Sequence, residues 1–162
     1  MRTTAVMGAL LLGVVLVGQL VTVTPDRPET RVDLADAVAG AKATATFDVI
    51  APPVLPDGWI ATSARFTPDA WHLGVLTADD KYIGLEQTTT SVKTIIADFA
   101  PRSRAVRDVQ LAGDAWQMRT ESDGDRVYVR DVGDTSVLVI GSARRTEVER
   151  YISSLASDPA GS

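Results

Sequence analysis

From Ala5 to Val23 the chain carries no charge, and Gln19 and Thr22 are the only polar residues in that run. A helix of this length spans roughly 28 Å, close to the ~30 Å thickness of a bilayer's hydrocarbon core. Only Met1 to Thr4 stand before it, with Arg2 and the terminal amine, and positive charge tends to stay on the cytoplasmic side. The expected arrangement is a cytoplasmic stub at 1–4 and a single-pass signal anchor at 5–24, with all that follows on the extracytoplasmic face of the cytoplasmic membrane. The alternative is a cleaved secretory signal, which needs a shorter apolar stretch and a small-x-small site directly after it. Here the run ends in Val21-Thr22-Val23 before Pro25, and the Ala-rich Ala39-Gly40-Ala41 lies far downstream. The uncleaved anchor is therefore preferred, and the lipid bilayer is the first expected partner.

Composition narrows the chemistry of the remainder. The 162 residues include no Cys and one His, and the net charge is −5. Without Cys there is no disulfide scaffold, thiol nucleophile, iron–sulfur cluster, Cys-zinc site or bacterial lipid anchor. A single His removes the two-His metal motifs. The acidic balance argues against nucleic acid, whose phosphates call for a basic face. No cofactor and no metal are expected.

Residues 25–46 read as a tether. Thr24 to Arg31 is polar with two prolines, and Val32 to Ala45 is Ala-rich with early acids that suit a short helix. Pro52, Pro53 and Pro56 interrupt regular structure before Trp59. A domain spanning 47–157 follows, and the tail at 158–162 is expected to be disordered.

Strand signals occur at Ile60–Phe66, Trp71–Thr77, Tyr82–Thr88, Ala105–Leu111, Ala115–Thr120, Arg126–Asp131 and Thr135–Gly141, with Gly- and Asp-rich punctuation between the later ones. Val137 to Ile140 is apolar at every position, as in a central strand buried on both faces. Ala78-Asp79-Asp80-Lys81 reads as a hairpin loop. If Ala78 faces Lys81, Trp71 and Glu86 share one face while His72 and Gln87 share the other. Val92, Ile95, Ile96 and Phe99 follow helical spacing, as do Val148, Tyr151, Ile152 and Leu155 after a Thr146–Glu149 capping box. The expected fold is α+β. It has one mostly antiparallel sheet of about six strands, with two amphipathic helices packed on one of its faces.

Several ordered motifs carry a family resemblance. Leu55-Pro56-x-Gly58-Trp59, Thr62-Ser63-x-Arg65, Trp71-His72-x-Gly74-x-x-Thr77 and Tyr82-x-x-x-Glu86-Gln87 come in sequence, and Gly113-x-x-Trp116 follows. The chain resembles the actinobacterial domain-of-unknown-function family 4245, over the apolar helix and nearly all of 47–157. The high Arg-to-Lys ratio and the lack of Asn agree with a GC-rich source. The resemblance implies a short membrane-anchored protein with one extracytoplasmic domain. It implies no activity and no catalytic residues. The layout is also similar to extracytoplasmic domains attached to some anti-sigma factors, without their cytoplasmic helical part.

The candidate binding residues are Trp59, Arg65, Trp71, His72, Glu86 and Gln87. Arg65 and Glu86 suggest a cross-strand ion pair or a polar anchor in a groove lined by the Trp59 and Trp71 indoles. His72 has the pKa range for acid–base work, but it needs a nucleophile and an orienting carboxylate nearby. Ser63, Ser91 and Glu86 are close enough in sequence to be considered. Gln87 as its facing residue would instead suggest a simple hydrogen bond. Asp79-Asp80 and Asp123-Gly124-Asp125 lack the oxygen spacing of a calcium loop and read as turns. Arg102, Arg104 and Arg107 make a local basic cluster, most simply a solvated loop. The preferred expectation is a non-enzymatic binding or accessory module in the cell envelope, with a membrane or envelope protein as a possible partner. The alternatives are an envelope hydrolase using His72, or a sensory or assembly subunit of a membrane complex.

Overall fold

The computed structural model describes residues 31–155. The anchor expected at 5–24 lies outside these residues, as do the stub at 1–4, the start of the tether and the tail at 158–162. No helix among the described residues is long and apolar enough to cross a membrane.

The elements in order are α1 (Leu34–Thr44), β1 (Ile60–Thr67), β2 (Ala70–Leu76), β3 (Tyr82–Thr88), α2 (Val92–Phe99), β4 (Arg104–Leu111), β5 (Asp114–Thr120), β6 (Arg126–Val132), β7 (Thr135–Gly141) and α3 (Arg145–Ser154). All strands join one antiparallel sheet of seven strands, ordered β1-β2-β3-β7-β6-β5-β4. The chain is α+β as expected, with seven strands rather than about six and three helices rather than two. The third helix is α1, the short helix expected at Val32 to Ala45 within the tether, and it packs on the domain. Asp33 caps it by accepting from the Asp36 amide at 3.0 Å, and Ala41 is fully buried.

The helices do not share one face, which corrects the sequence expectation. α1 and α3 lie on one face, where Ala41, Val148, Tyr151 and Ile152 join Trp71, Leu73, Val75, Leu85, Val137 and Val139. α2 lies on the opposite face, where Ile95 meets Val127, Val129 and Leu138. β7 explains the difference. It occupies the centre of the sheet, and its apolar run presents Val137 and Val139 to one side and Leu138 to the other. Both faces of such a strand must be covered to keep apolar surface from water.

Ser91 caps α2 by accepting from the Thr94 amide at 3.3 Å. Ile95 is fully buried beneath this helix, but Phe99 at its end is 39% exposed. Phe99 therefore does not complete the buried stripe that its spacing suggests. α3 begins earlier than the Thr146–Glu149 box implies: Arg144 is its N-cap, and its amide donates to Glu147 Oε2 at 3.0 Å. Glu149 instead accepts from the Tyr128 hydroxyl at 3.0 Å and from Arg145 Nε at 2.8 Å.

The β2–β3 register also differs from the expected one by a single step. Thr77, not Ala78, faces Lys81, and its amide donates to the Lys81 carbonyl at 2.9 Å. The loop thus has an odd number of residues and ends on Asp80, whose φ of 57° is left-handed. A type I turn closed by a left-handed residue makes such a loop, and Asp tolerates that conformation better than most residues. One step in register exchanges partners on every rung. Trp71 faces Gln87, and His72 faces Glu86.

Candidate functional site

The register sorts the six candidate residues onto two faces. Trp59, Trp71 and Gln87 belong to the face covered by α1 and α3. Trp59 stacks on Tyr151 of α3, with ring centroids 6.4 Å apart and planes inclined by 20°. Trp71 is 1% exposed, and its indole Nε1 donates to the Ile50 carbonyl at 3.1 Å. Gln87 is fully buried. Its Oε1 accepts from the Ile50 amide at 2.9 Å, and its Nε2 donates to the Asp48 carbonyl at 2.8 Å and to Thr135 Oγ1 at 3.1 Å. Together they fasten the strand-like segment around Ile50 to the sheet. Side chains thus satisfy the Ile50 amide, the Ile50 carbonyl and the Asp48 carbonyl, which lie outside the seven strands.

Arg65, His72 and Glu86 form one row on the opposite face, across β1, β2 and β3. The expected Arg65–Glu86 pair does not form among the described contacts, because β2 lies between their strands and puts His72 there. Glu86 Oε1 lies 2.5 Å from His72 Nδ1, and the two residues are each 7% exposed. On its other side, His72 Nε2 lies 3.0 Å from Ser63 Oγ. A carboxylate can only accept, so Nδ1 carries a proton toward Glu86, and in the neutral imidazole the Nε2 lone pair then accepts the serine O–H. The result is a directed chain, Ser63 to His72 to Glu86, across three adjacent strands.

Two local irregularities build this chain. β1 carries a bulge between Ala61 and Ser63, and bulges re-aim side chains. Gly74 faces Ser63 across the β1–β2 pair, and a β-carbon there would collide with Ser63 Oγ. Its rung partner on β3 is Gly84, and a β-carbon there would lie 2.8 Å from Tyr82 Oη. These glycines form a shelf on which the Tyr82 phenol lies, and they place its hydroxyl beside the same ground that Ser63 occupies. Burial, followed by the nearby Glu86 charge, raises the Tyr82 pKa, while Arg65 lowers it. The phenol therefore stays protonated and can donate.

A groove of about 240 Å³ opens beside this chain. It is bordered by Arg65, Trp71, His72, Glu86, Thr88 and Phe99, among others. Arg65 is exposed at its edge and makes no hydrogen bond or ion pair among the described residues. Trp59 is not part of it. Asp79 pairs with Arg144 at the start of α3, and within the other acidic turn the Asp125 amide donates to Asp123 Oδ1 at 3.2 Å. Arg102, of the basic cluster, lies beside Glu121 with Nε and Oε2 3.9 Å apart.

Sequence reasoning missed the site role of Tyr82 and had no means of selecting Ser63 over other serines. The Tyr82 signal was present: glycines inside facing strands mark a close approach. The Ser63 signal was not, because the bulge that aims it has no sequence mark.

No curated protein and no solved structure matches this chain. One family model does, over residues 2–155, which include every residue of the site. This chain accordingly belongs to the family described as proteins of unknown function, DUF4245.

Proposed function

We propose that this protein is a single-pass, membrane-anchored module of the cell envelope, whose extracytoplasmic domain binds an anionic amphiphile in the groove beside His72 and Glu86. The uncharged run at 5–23 supports the anchor. The observation that carries the binding reading is the groove itself, with the Arg65 guanidinium at its edge and the partly exposed Phe99 beside it. A guanidinium without a carboxylate partner suits a ligand carboxylate, and an exposed ring suits a short apolar tail.

The test uses full-length protein and octanoate as the probe. The protein should stay in the membrane fraction after carbonate washing, with its N-terminus intact. A soluble form starting near Thr24 would overturn the anchor. In detergent micelles, octanoate should shift the amide resonances of Arg65, Thr88 and Phe99. Arg65→Ala should weaken that binding by about tenfold or more, as expected for a charge-assisted hydrogen bond. Unchanged affinity in Arg65→Ala, or no binding at all, would overturn the binding reading.

A further inference from the structure

We infer that the Ser63–His72–Glu86 chain hydrolyses carboxylic esters, with Ser63 as nucleophile, His72 as general base and Tyr82 as donor to the developing oxyanion. The inference rests on the groove reading for its substrate class, an ester whose acyl part also carries a carboxylate.

The geometry meets the requirements of this chemistry one by one. Nucleophile and base lie within hydrogen-bond reach at 3.0 Å, and base and orienting carboxylate at 2.5 Å. In the neutral imidazole, with Nδ1–H held by Glu86, Nε2 is the nitrogen that can take the serine proton. The His72–Glu86 pair is nearly dry, each residue 7% exposed, which strengthens the charge stabilisation of the imidazolium, while Ser63 is half-buried and Tyr82 38% exposed, open to substrate. The Tyr82 hydroxyl flanks the same glycine shelf as Ser63 Oγ. The groove reaches His72 and Glu86 and carries Arg65 at its edge for a second, anionic group, and Ser63 stands two residues from Arg65 along β1.

The reaction is ordinary acyl transfer. Ser63 Oγ attacks the carbonyl carbon while its proton passes to His72 Nε2. The ester C–O bond breaks, and His72 returns the proton to the leaving alcohol. Water then attacks the acyl-serine, giving a proton to His72. The Oγ–acyl bond breaks, the free acid leaves and Ser63 regains its proton. The sum is ester plus water to acid plus alcohol. Glu86 acts through His72, as a positioning residue.

The experiment takes the full-length protein in detergent micelles and two chromogenic esters, para-nitrophenyl butyrate and the para-nitrophenyl monoester of glutaric acid. A fluorophosphonate should label one residue, identified as Ser63 by tandem mass spectrometry. Ser63→Ala leaves the buried His72–Glu86 pair intact, and it should abolish both labelling and turnover while the thermal midpoint stays near that of the parent. Tyr82→Phe should lower kcat by roughly tenfold or more with KM little changed. Glu86→Gln should lower kcat and displace the pH profile of kcat/KM, which a purely structural role would not do. Arg65→Ala should raise KM for the glutarate ester alone. A folded protein with no Ser63 adduct, or turnover that survives Ser63→Ala, would overturn the hydrolytic site even if octanoate still bound. A Ser63 adduct with equal Arg65→Ala effects on both esters would keep the hydrolytic site and overturn the anionic substrate class.

Discussion

His72 Nδ1 and Glu86 Oε1 stand 2.5 Å apart on facing rungs of β2 and β3, with both residues 7% exposed. Removing either group leaves the other buried with unmet hydrogen-bonding capacity. His72→Ala and Glu86→Ala should each lower stability by about 1–3 kcal/mol, and the double substitution should cost less than their sum. Urea midpoints of the four proteins measure the coupling, and strict additivity would show that there is none. Arg65→Ala, on the exposed end of the same row, should change stability by less than about 0.5 kcal/mol.

Gln87 is the corresponding test on the other face. Its amide meets the Ile50 amide, the Asp48 carbonyl and Thr135 Oγ1. Gln87→Leu keeps the bulk and removes these bonds, so the buried Ile50 N–H loses its acceptor. The expected cost is about 1–3 kcal/mol. Hydrogen exchange should localise it: the Ile50 amide should exchange faster by a factor larger than that seen for β7 amides. Equal acceleration throughout the sheet would mean that the segment is held by packing alone.

These two residues show what the sequence could and could not disclose. The strand at Tyr82–Thr88 was legible, because its apolar and aromatic residues end in turn signals on both sides. Which of Glu86 and Gln87 faces His72 was not, because it depends on the parity of one loop. The left-handed Asp80 sets that parity, and an Asp-Asp-Lys turn is compatible with either loop length. The same limit hid Ser63 behind a bulge. The opposite placement of α2 was open to inference, since a central strand apolar at Val137 to Ile140 demands cover on both faces.

Ile95 and Phe99 lie on one helix and should separate cleanly. Ile95 is fully buried against Val127, Val129 and Leu138, so Ile95→Ala should cost about 2–5 kcal/mol. Phe99 is 39% exposed at the groove, so Phe99→Ala should fall well below the ~3–5 kcal/mol of a buried ring. Thermal midpoints check the order. A larger loss from Phe99→Ala would place its ring in the core and close the groove.

Tyr128 supplies a prediction in alkaline solution. Its hydroxyl donates to Glu149 Oε1 at 3.0 Å. Burial first, then this hydrogen bond and the Glu149 charge, push its pKa up from 10.0 to about 12 against the opposing pull of Arg145 and Arg126. The folded state therefore keeps a proton that the unfolded chain releases, and stability falls wherever the unfolded state binds fewer protons. The Tyr128 contribution should be fully present below pH 10.0 and be lost as the pH rises towards about 12. Tyr128→Phe cannot titrate, so its urea midpoint should decline less steeply above pH 10.0 than that of the parent. A residual slope should remain, because Tyr82 and Tyr151 also have raised pKa values and are still present. At neutral pH the substitution should cost about 1.5–3 kcal/mol for the one lost hydrogen bond to a carboxylate. Parallel declines in the two proteins would show that the Tyr128 proton is not linked to folding.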